Sequence, residues 1–183
     1  MTMSDSRNVS APLGVVALVV LLLAGFAVLP RIFKPKDAAL VGQTAPDFTL
    51  DVVANEGALG QTGKIQLSEL RGKPVLLDFW ASWCTACRTE TPLINKLAQR
   101  YKERGLVVIG VDTDEPEPQT FPWKVARGLA YPIVFDGGNA ASAQYGVTSL
   151  PTLILVSRSG TVLAVRIGVT DDADLDALVK QAL

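Results

Sequence analysis

The chain has 183 residues, enough for one domain of ordinary size and an additional segment. It contains two cysteines and no histidine, and its formal net charge is −1. Without histidine, His-based general bases and the Ser-His and Cys-His triads are excluded, and two cysteines cannot complete a Cys/His zinc site. The charges form no basic stripe of the kind that binds nucleic acid. We therefore expect neither a metal site nor a nucleic-acid partner.

An apolar stretch over residues 12–30 lies near the N-terminus and carries no charged residue. At about 1.5 Å per residue, a helix of this length approaches the ~30 Å of a bilayer's hydrocarbon core. We interpret the stretch as a membrane anchor in the lipid bilayer, with a cleaved signal peptide and a buried core helix as alternatives. The chain then divides into a tail, the anchor, a linker and a folded domain: 1–11, 12–30, 31–40 and 41–183.

The charges that flank this stretch bear on its orientation. Arg31, Lys34 and Lys36 follow it, whereas only Arg7 and the α-amine precede it. A strict count of positive charges would keep the folded domain in the cytoplasm. Long domains are translocated despite such charges, so the count does not exclude export.

The folded part shows strand-like patterns separated by turns. Two apolar runs, 75–80 and 106–112, predict central strands of a sheet that is covered on both faces. A polar, Gly-rich stretch between strand-like segments predicts an N-terminal hairpin. Besides the two central strands, we predict strand-like segments at 46–50, 65–67, 133–135, 153–156 and 162–167.

Helical patterns complete the prediction. The period over 85–104 predicts a long helix that contains Pro92 and ends at Gly105. Shorter helices are expected within 119–128 and at 140–145, and Thr170 is expected to cap a last amphipathic helix. We expect Asp112 and the acidic run 114–117 to be solvated loop. The order of elements predicts an α/β fold, a central mixed sheet with helices on both faces.

The two cysteines, Cys84 and Cys87, stand between the buried strand 75–80 and the long helix. This places both thiols at a helix N-terminus, where the backbone dipole favours a thiolate. The spacing predicts a redox-active dithiol in which an exposed Cys84 attacks a disulfide and Cys87, one turn later, resolves the mixed disulfide. The alternative is a structural disulfide, although so short a loop would constrain the unfolded chain little.

Asp78 lies inside an apolar strand, where an unpaired carboxylate is costly. Burial would raise its pKa and suit it to exchange a proton with Cys87. The alternative is an aspartate at a strand end that faces solvent. Of the nearby tryptophans, we expect Trp83 on an exposed docking surface and Trp80 in the core.

Four segments resemble the thioredoxin superfamily, and more closely its membrane-anchored TlpA/ResA-like branch. The first two are the strand and active-site entry at 77–84 and the helix proline, Pro92, five residues after Cys87. The other two are a segment with Leu-Pro-Thr at 145–152 and an N-terminal hairpin at 42–50. The resemblance spans about residues 40–183. The chain departs from the thioredoxin pattern at Thr85-Ala86, where thioredoxins have Gly-Pro.

This resemblance implies a thioredoxin-like fold with an N-terminal β-hairpin extension and a thiol–disulfide oxidoreductase that needs no cofactor. It implies the same proton exchange for Asp78, and it places Glu90 near the active site, with an ordinary surface glutamate as the alternative. It also implies a cis-proline at Pro151, a loop Leu150–Thr152 packed against the dithiol, and a Leu150 backbone that pairs with a bound peptide.

The same resemblance implies a single-pass protein of the cytoplasmic membrane with its catalytic domain on the periplasmic, extracytoplasmic side. Its substrates would be exported proteins with disulfides, apocytochrome c among them, and a membrane electron carrier would be its donor. A peroxiredoxin-like peroxidase is an alternative, but it needs Pro-x-x-x-Thr-x-x-Cys, which the segment before Cys84 lacks. A metal-binding assembly factor on the same fold is another, but such relatives use C-x-x-x-C and a histidine.

Overall fold

A computed structural model describes residues 14–15, 17–23, 39–59, 63–113 and 128–183. The chain divides into two compact units, Met1–Pro35 and Lys36–Leu183. In the first unit, the described residues are helical. Across the described ranges, no helix combines the length and the apolar character needed to cross a membrane. The rest of the expected anchor 12–30, and most of the expected linker, lie outside the described residues.

The second unit is built on one mixed sheet of seven strands in the order β2-β1-β5-β4-β3-β6-β7. Strand β3 is parallel to β4, and β4 is parallel to β5. The remaining neighbours are antiparallel, including the predicted N-terminal hairpin β1–β2. The strands are β1 (Thr49–Ala54), β2 (Lys64–Gln66), β3 (Val75–Trp80), β4 (Val107–Thr113), β5 (Ile133–Asp136), β6 (Thr152–Val156) and β7 (Val162–Ile167).

The two apolar runs form the centre of the sheet, as predicted. Every residue of β3 and of β4 is buried. Their side chains alternate between two separate apolar clusters, one on each face of the sheet. Such strands are continuous apolar runs because neither face meets water.

In the described part of this unit, three α-helices cover the sheet: α1 (Thr85–Tyr101), α2 (Ala140–Gln144) and α3 (Asp172–Lys180). Buried residues of α1 and α3 share one cluster, whereas Ala141 of α2 belongs to the cluster on the opposite face. A 3-10 turn, Lys102–Arg104, follows α1. This helical segment ends at Gly105, whose φ of 87° is a left-handed conformation that favours glycine. Further 3-10 turns lie at Glu56–Leu59 and Leu67–Leu70. The predicted thioredoxin-like α/β fold is confirmed.

Asp112 is not in a solvated loop, as the sequence suggested. It is 0% exposed and belongs to β4, where it pairs with Trp80 of β3 and Phe135 of β5. The expectation failed because β4 runs on to Thr113, beyond the last apolar residue. The acidic run 114–117 and almost all of the expected helix within 119–128 lie outside the described residues.

Thr170 does not cap the last helix, although its sequence position suggested that it would. The N-cap of α3 is Asp171, whose side chain accepts a hydrogen bond from the Asp174 amide at 2.8 Å. The backbone N–H of Thr170 instead donates to Oε1 of Glu90 at 2.7 Å. Adjacent residues therefore serve different purposes, one capping α3 and one binding a buried carboxylate.

We predict that Asp171→Ala lowers the free energy of unfolding by about 1 kcal/mol, the usual effect of losing an N-cap side chain. Thr170→Ala is the matched control. It removes the Thr170 hydroxyl, which makes a long 3.4 Å hydrogen bond to the Gly168 carbonyl and a hydrogen bond to Glu90, and it keeps the backbone donor to Glu90. Urea denaturation followed by circular dichroism measures both. A free energy of unfolding that is unchanged in Asp171→Ala would contradict the assignment of the cap.

Candidate active site

The two cysteines lie where β3 gives way to α1. A tight turn follows β3, in which the Cys84 amide donates to the Ala81 carbonyl at 3.1 Å. Cys84 is the N-cap of α1, and its Sγ accepts a hydrogen bond from the Cys87 amide at 3.1 Å. The two residues form a disulfide, with a Cα–Cα distance of 5.3 Å. The structure thus shows the oxidised state of the pair.

Both cysteines are more buried than the sequence suggested. Cys84 is 6% exposed and Cys87 is 2% exposed. The expectation that Cys84 is exposed is therefore wrong for the oxidised protein, because it packs in the same apolar cluster as Trp80 and Ala81. Cys84 is nevertheless the more accessible of the two.

Asp78 is buried in the middle of β3, on the face of the sheet whose apolar cluster contains both cysteines. It is 3% exposed and pairs with Gly110 of β4 and Leu153 of β6, so strands flank it on both sides. Removal from water, and secondly the negative charge of Glu90, raise the pKa of Asp78 to about 8. The alternative of a strand-end aspartate that faces solvent is wrong.

Glu90 follows Cys87 by one turn of α1 and is 1% exposed. Burial raises the pKa of Glu90, while the hydrogen bond from Thr170 opposes that rise. Its other oxygen, Oε2, is buried and accepts no hydrogen bond from the described residues. The alternative of a surface glutamate is therefore wrong, and the two carboxyl groups lie close enough to influence each other's titration.

The Leu150–Pro151 peptide bond is cis. The antiparallel pairing of β3 with β6 joins Phe79 to Thr152 and so brings this loop to the edge of the sheet where the dithiol lies. The Pro151 carbonyl accepts a hydrogen bond from the Gly168 amide at 2.9 Å. Thr152 is buried and its hydroxyl donates to the Ser149 carbonyl at 2.7 Å, so its side chain shapes the loop.

An open cleft of about 330 Å³ lies beside this loop. Trp83, which is 57% exposed, and the half-buried Leu150 contribute apolar walls. Its polar wall includes Thr113 and Ser142, whose hydroxyl oxygens are 3.0 Å apart. The cleft therefore offers apolar and hydroxyl groups directly beside the cysteine-bearing turn.

Tyr131 was not predicted as a site residue, but it lies in the same buried cluster as both cysteines. Burial, followed by the negative charges of Asp78 and Glu90, raises the pKa of Tyr131 well above its ordinary value. The signal that could have indicated such a contact is Gly110. A glycine inside an otherwise apolar strand often marks a place where another group approaches closely.

The geometry supports one kind of chemistry. Two thiols at a helix N-terminus, one turn apart, can cycle between dithiol and disulfide, and a buried carboxyl group nearby can hold the proton that this cycle moves. The class of protein so defined is a thiol–disulfide oxidoreductase on a thioredoxin-like fold.

The chain belongs to the AhpC/TSA family, whose sequence pattern matches residues 41–165. It is 34% identical over 157 residues to the thiol–disulfide oxidoreductase ResA of Bacillus anthracis, covering 86% of this chain and 87% of that protein. A solved structure from Chlorobium tepidum, provisionally assigned as the thiol:disulfide interchange protein DsbE, is 34% identical in sequence. Its superposition on this chain has a TM-score of 0.65 and covers 77% of this chain and 94% of that protein's chain.

The thioredoxin domain of a thiol–disulfide oxidoreductase from Bacteroides vulgatus is also similar. Its identity is 27% and its TM-score 0.62, with 78% of this chain and 98% of that chain covered. The predicted membership of the ResA-like group of the thioredoxin superfamily is confirmed, as is the predicted enzymatic activity.

We predict that Asp78→Asn stabilises the oxidised protein increasingly as the pH rises. The folded protein holds Asp78 protonated up to a pH of about 8, whereas the unfolded chain releases that proton near 3.8. The wild type therefore loses stability between these pH values, and asparagine removes this loss. The advantage of the variant should grow by on the order of 3 kcal/mol from pH 5 to pH 8.

Urea denaturation of the oxidised protein at pH 5 and pH 8 measures this effect. Asp51→Asn, at an exposed aspartate paired with Lys64, controls for the loss of one acidic group. An advantage of Asp78→Asn that is the same at both pH values would show that Asp78 titrates normally in the folded protein.

Proposed function

We propose that this protein reduces disulfide bonds of exported proteins on the periplasmic, extracytoplasmic side of the cytoplasmic membrane. The observation that carries the proposal is the buried Asp78, which lies on the same face of the sheet as the dithiol and has its pKa raised to about 8. A group that titrates near neutral pH in an apolar site can take up the proton of a neighbouring thiol and return it. A purely structural disulfide would need no such group.

The reaction begins with the reduced protein. The thiolate of Cys84, at the N-terminus of α1, attacks one sulfur of the substrate disulfide. A mixed disulfide forms between Cys84 and the substrate, and the first substrate sulfur leaves as a thiolate that takes a proton from water. The helix dipole stabilises the attacking thiolate before the step.

Cys87 completes the reaction. It gives its proton to the carboxylate of Asp78, and the resulting thiolate attacks Sγ of Cys84. The Cys84–Cys87 disulfide forms, and the second substrate sulfur leaves as a thiolate that takes up the proton held by Asp78. Two electrons have then passed to the substrate, and the protein is in the oxidised state that the structure shows.

The surface around the dithiol supports the binding of a peptide. An extended substrate segment would pair with the backbone of Leu150, pack against the exposed Trp83 and place a neighbouring side chain in the cleft. Pro151 and Thr152 would hold this loop in place. Apocytochrome c, whose haem-binding cysteines must be reduced, is the substrate that the family resemblance favours.

The cycle needs a source of electrons in an oxidising compartment. We infer a membrane electron carrier that reduces the Cys84–Cys87 disulfide by the reverse sequence of exchanges. Residues 12–30 would anchor the protein in the lipid bilayer beside this donor, with 31–40 as the linker. The apolar composition of 12–30 supports the anchor, and the resemblance to membrane-anchored relatives supports the orientation.

The first test is the reduction potential of the Cys84–Cys87 pair in the full chain, equilibrated in thiol buffers and read by alkylation. We expect a value near or below the ~−270 mV of thioredoxin, because a reductant must give electrons to its substrates. A value near ~−120 mV, typical of a strong oxidant, would contradict the reductase proposal. Cys84→Ser, which cannot form the disulfide, is the control for the alkylation readout.

The second test concerns location. The chain has no cysteines outside the pair, so a membrane-impermeant maleimide reports where the reduced dithiol lies. We expect labelling in intact spheroplasts, in a membrane fraction that resists carbonate extraction, with the N-terminal segment still attached. Labelling only after lysis would contradict the orientation, and release by carbonate would contradict the anchor.

A further inference from the structure

Tyr131 lies at a gap that strand β4 leaves beside Asp78. Gly110 is the residue of β4 that pairs with Asp78. A methyl group built at Gly110 would lie 2.5 Å from Cδ1 of Ile133, 3.1 Å from Nε1 of Trp80 and 3.2 Å from Cε2 of Tyr131. The tyrosine ring therefore lies beside Gly110, the residue paired with Asp78, together with Ile133 and Trp80.

The backbone around Tyr131 is held by hydrogen bonds on both sides. Its own carbonyl accepts a hydrogen bond from the Asn55 side chain at 3.0 Å. The preceding amide, of Ala130, donates to Asn95 at 2.7 Å, and the following carbonyl, of Pro132, accepts from the Gly110 amide at 3.0 Å. With the side chain only 3% exposed, the ring has a fixed position.

The ionisable groups near this ring are acidic. They are Asp78 from β3 and Glu90 from α1, and the Cys84–Cys87 disulfide lies in the same buried cluster as the ring. The phenol lies close enough to Asp78 and Glu90 for their charges to raise its pKa. The phenol therefore stays protonated at neutral pH and can donate a hydrogen bond without adding a charge.

We propose that Tyr131 is a positioning residue whose hydroxyl donates a hydrogen bond to the Asp78–Glu90 pair when the pair loses a proton. A donor that favours the ionised form makes a carboxyl group release its proton more readily. Tyr131 thereby keeps part of the Asp78 population ionised near neutral pH, ready to accept the proton of Cys87. The inference rests on the proposed role of Asp78 in that step.

The test is a carboxyl ¹³C NMR titration of the oxidised full chain in detergent micelles, with labelled aspartate. The signal of Asp78 is assigned by its loss in Asp78→Asn. We expect Tyr131→Phe to raise the titration midpoint of Asp78 by at least about half a pH unit, since phenylalanine keeps the ring and removes the donor. The rising limb of the pH profile for resolution of the mixed disulfide should move to higher pH by a similar amount.

Tyr145→Phe is the matched control. Tyr145 is also buried, but it lies in the cluster on the other face of the sheet, and its hydroxyl donates to the Pro46 carbonyl at 2.7 Å. It should leave the midpoint of Asp78 unchanged. If Tyr131→Phe does not fold, 3-fluorotyrosine at position 131 replaces it. This stronger donor should lower the midpoint, and an unchanged midpoint overturns the proposal.

The outcomes separate the two proposals. If Asp78→Asn slows resolution but Tyr131→Phe leaves the midpoint of Asp78 unchanged or lower, the role of Tyr131 is wrong and that of Asp78 stands. If Asp78→Asn leaves resolution unchanged, Asp78 is not the base for Cys87. In that case the proposed contribution of Tyr131 to catalysis is also wrong, even if Tyr131→Phe shifts the titration midpoint of Asp78.

Discussion

The burial of two carboxyl groups on the face of the sheet that carries the disulfide is the constraint on which the rest of this structure depends. Asp78 and Glu90 are almost completely buried, on the face of the sheet that also carries both cysteines. Taking a carboxylate out of water costs several kcal/mol unless it is paired or becomes neutral. Here both pKa values rise, so the site holds protons at a pH where exposed carboxyl groups have lost them.

The fold holds these two groups together through elements distant in sequence. Asp78 is fixed by the centre of the sheet, whereas Glu90 is carried by α1 and bound by the Thr170 amide, between β7 and α3. The position of α3 is fixed in turn by contact with α1, including the ion pairs of Arg100 with Asp172 and Asp176. The docking of the C-terminal helix therefore helps to set the electrostatics of a site at the other end of α1.

The features that were predictable from the sequence are those with a local cause. A run of apolar residues forms a buried strand because water is excluded from both faces, and so β3, β4 and the carboxyl of Asp78 within β3 could be placed from the sequence. The position of the cysteine pair at the N-terminus of α1 was also predictable, since the strand, the turn and the helix follow one another directly in the sequence. The order of the strands in the sheet was not predicted, because no local pattern specifies which strands lie side by side.

The features that were not predictable depend on contacts between distant segments. The family resemblance placed Glu90 near the active site, but only its hydrogen bond to Thr170, 80 residues away, explains how its burial is tolerated. Tyr131 becomes part of the site through tertiary packing that brings its ring beside Gly110. Asp112 was wrongly predicted to be in a loop. Strand β4 continues through this polar residue because Trp80 of β3 and Phe135 of β5 pair with it.

Stability alone does not explain these acidic residues. An apolar side chain at position 78 would match the remaining residues of β3 and avoid the desolvation of a carboxyl group, and substitutions of that kind often stabilise proteins. The two causes that shift the pKa of Asp78, burial and the charge of Glu90, both make its ionised form less favourable. A fold that keeps such a group on the same face as the disulfide gives up stability, and the proposed proton transfer accounts for that loss where a bond that merely joins two parts of a chain would not.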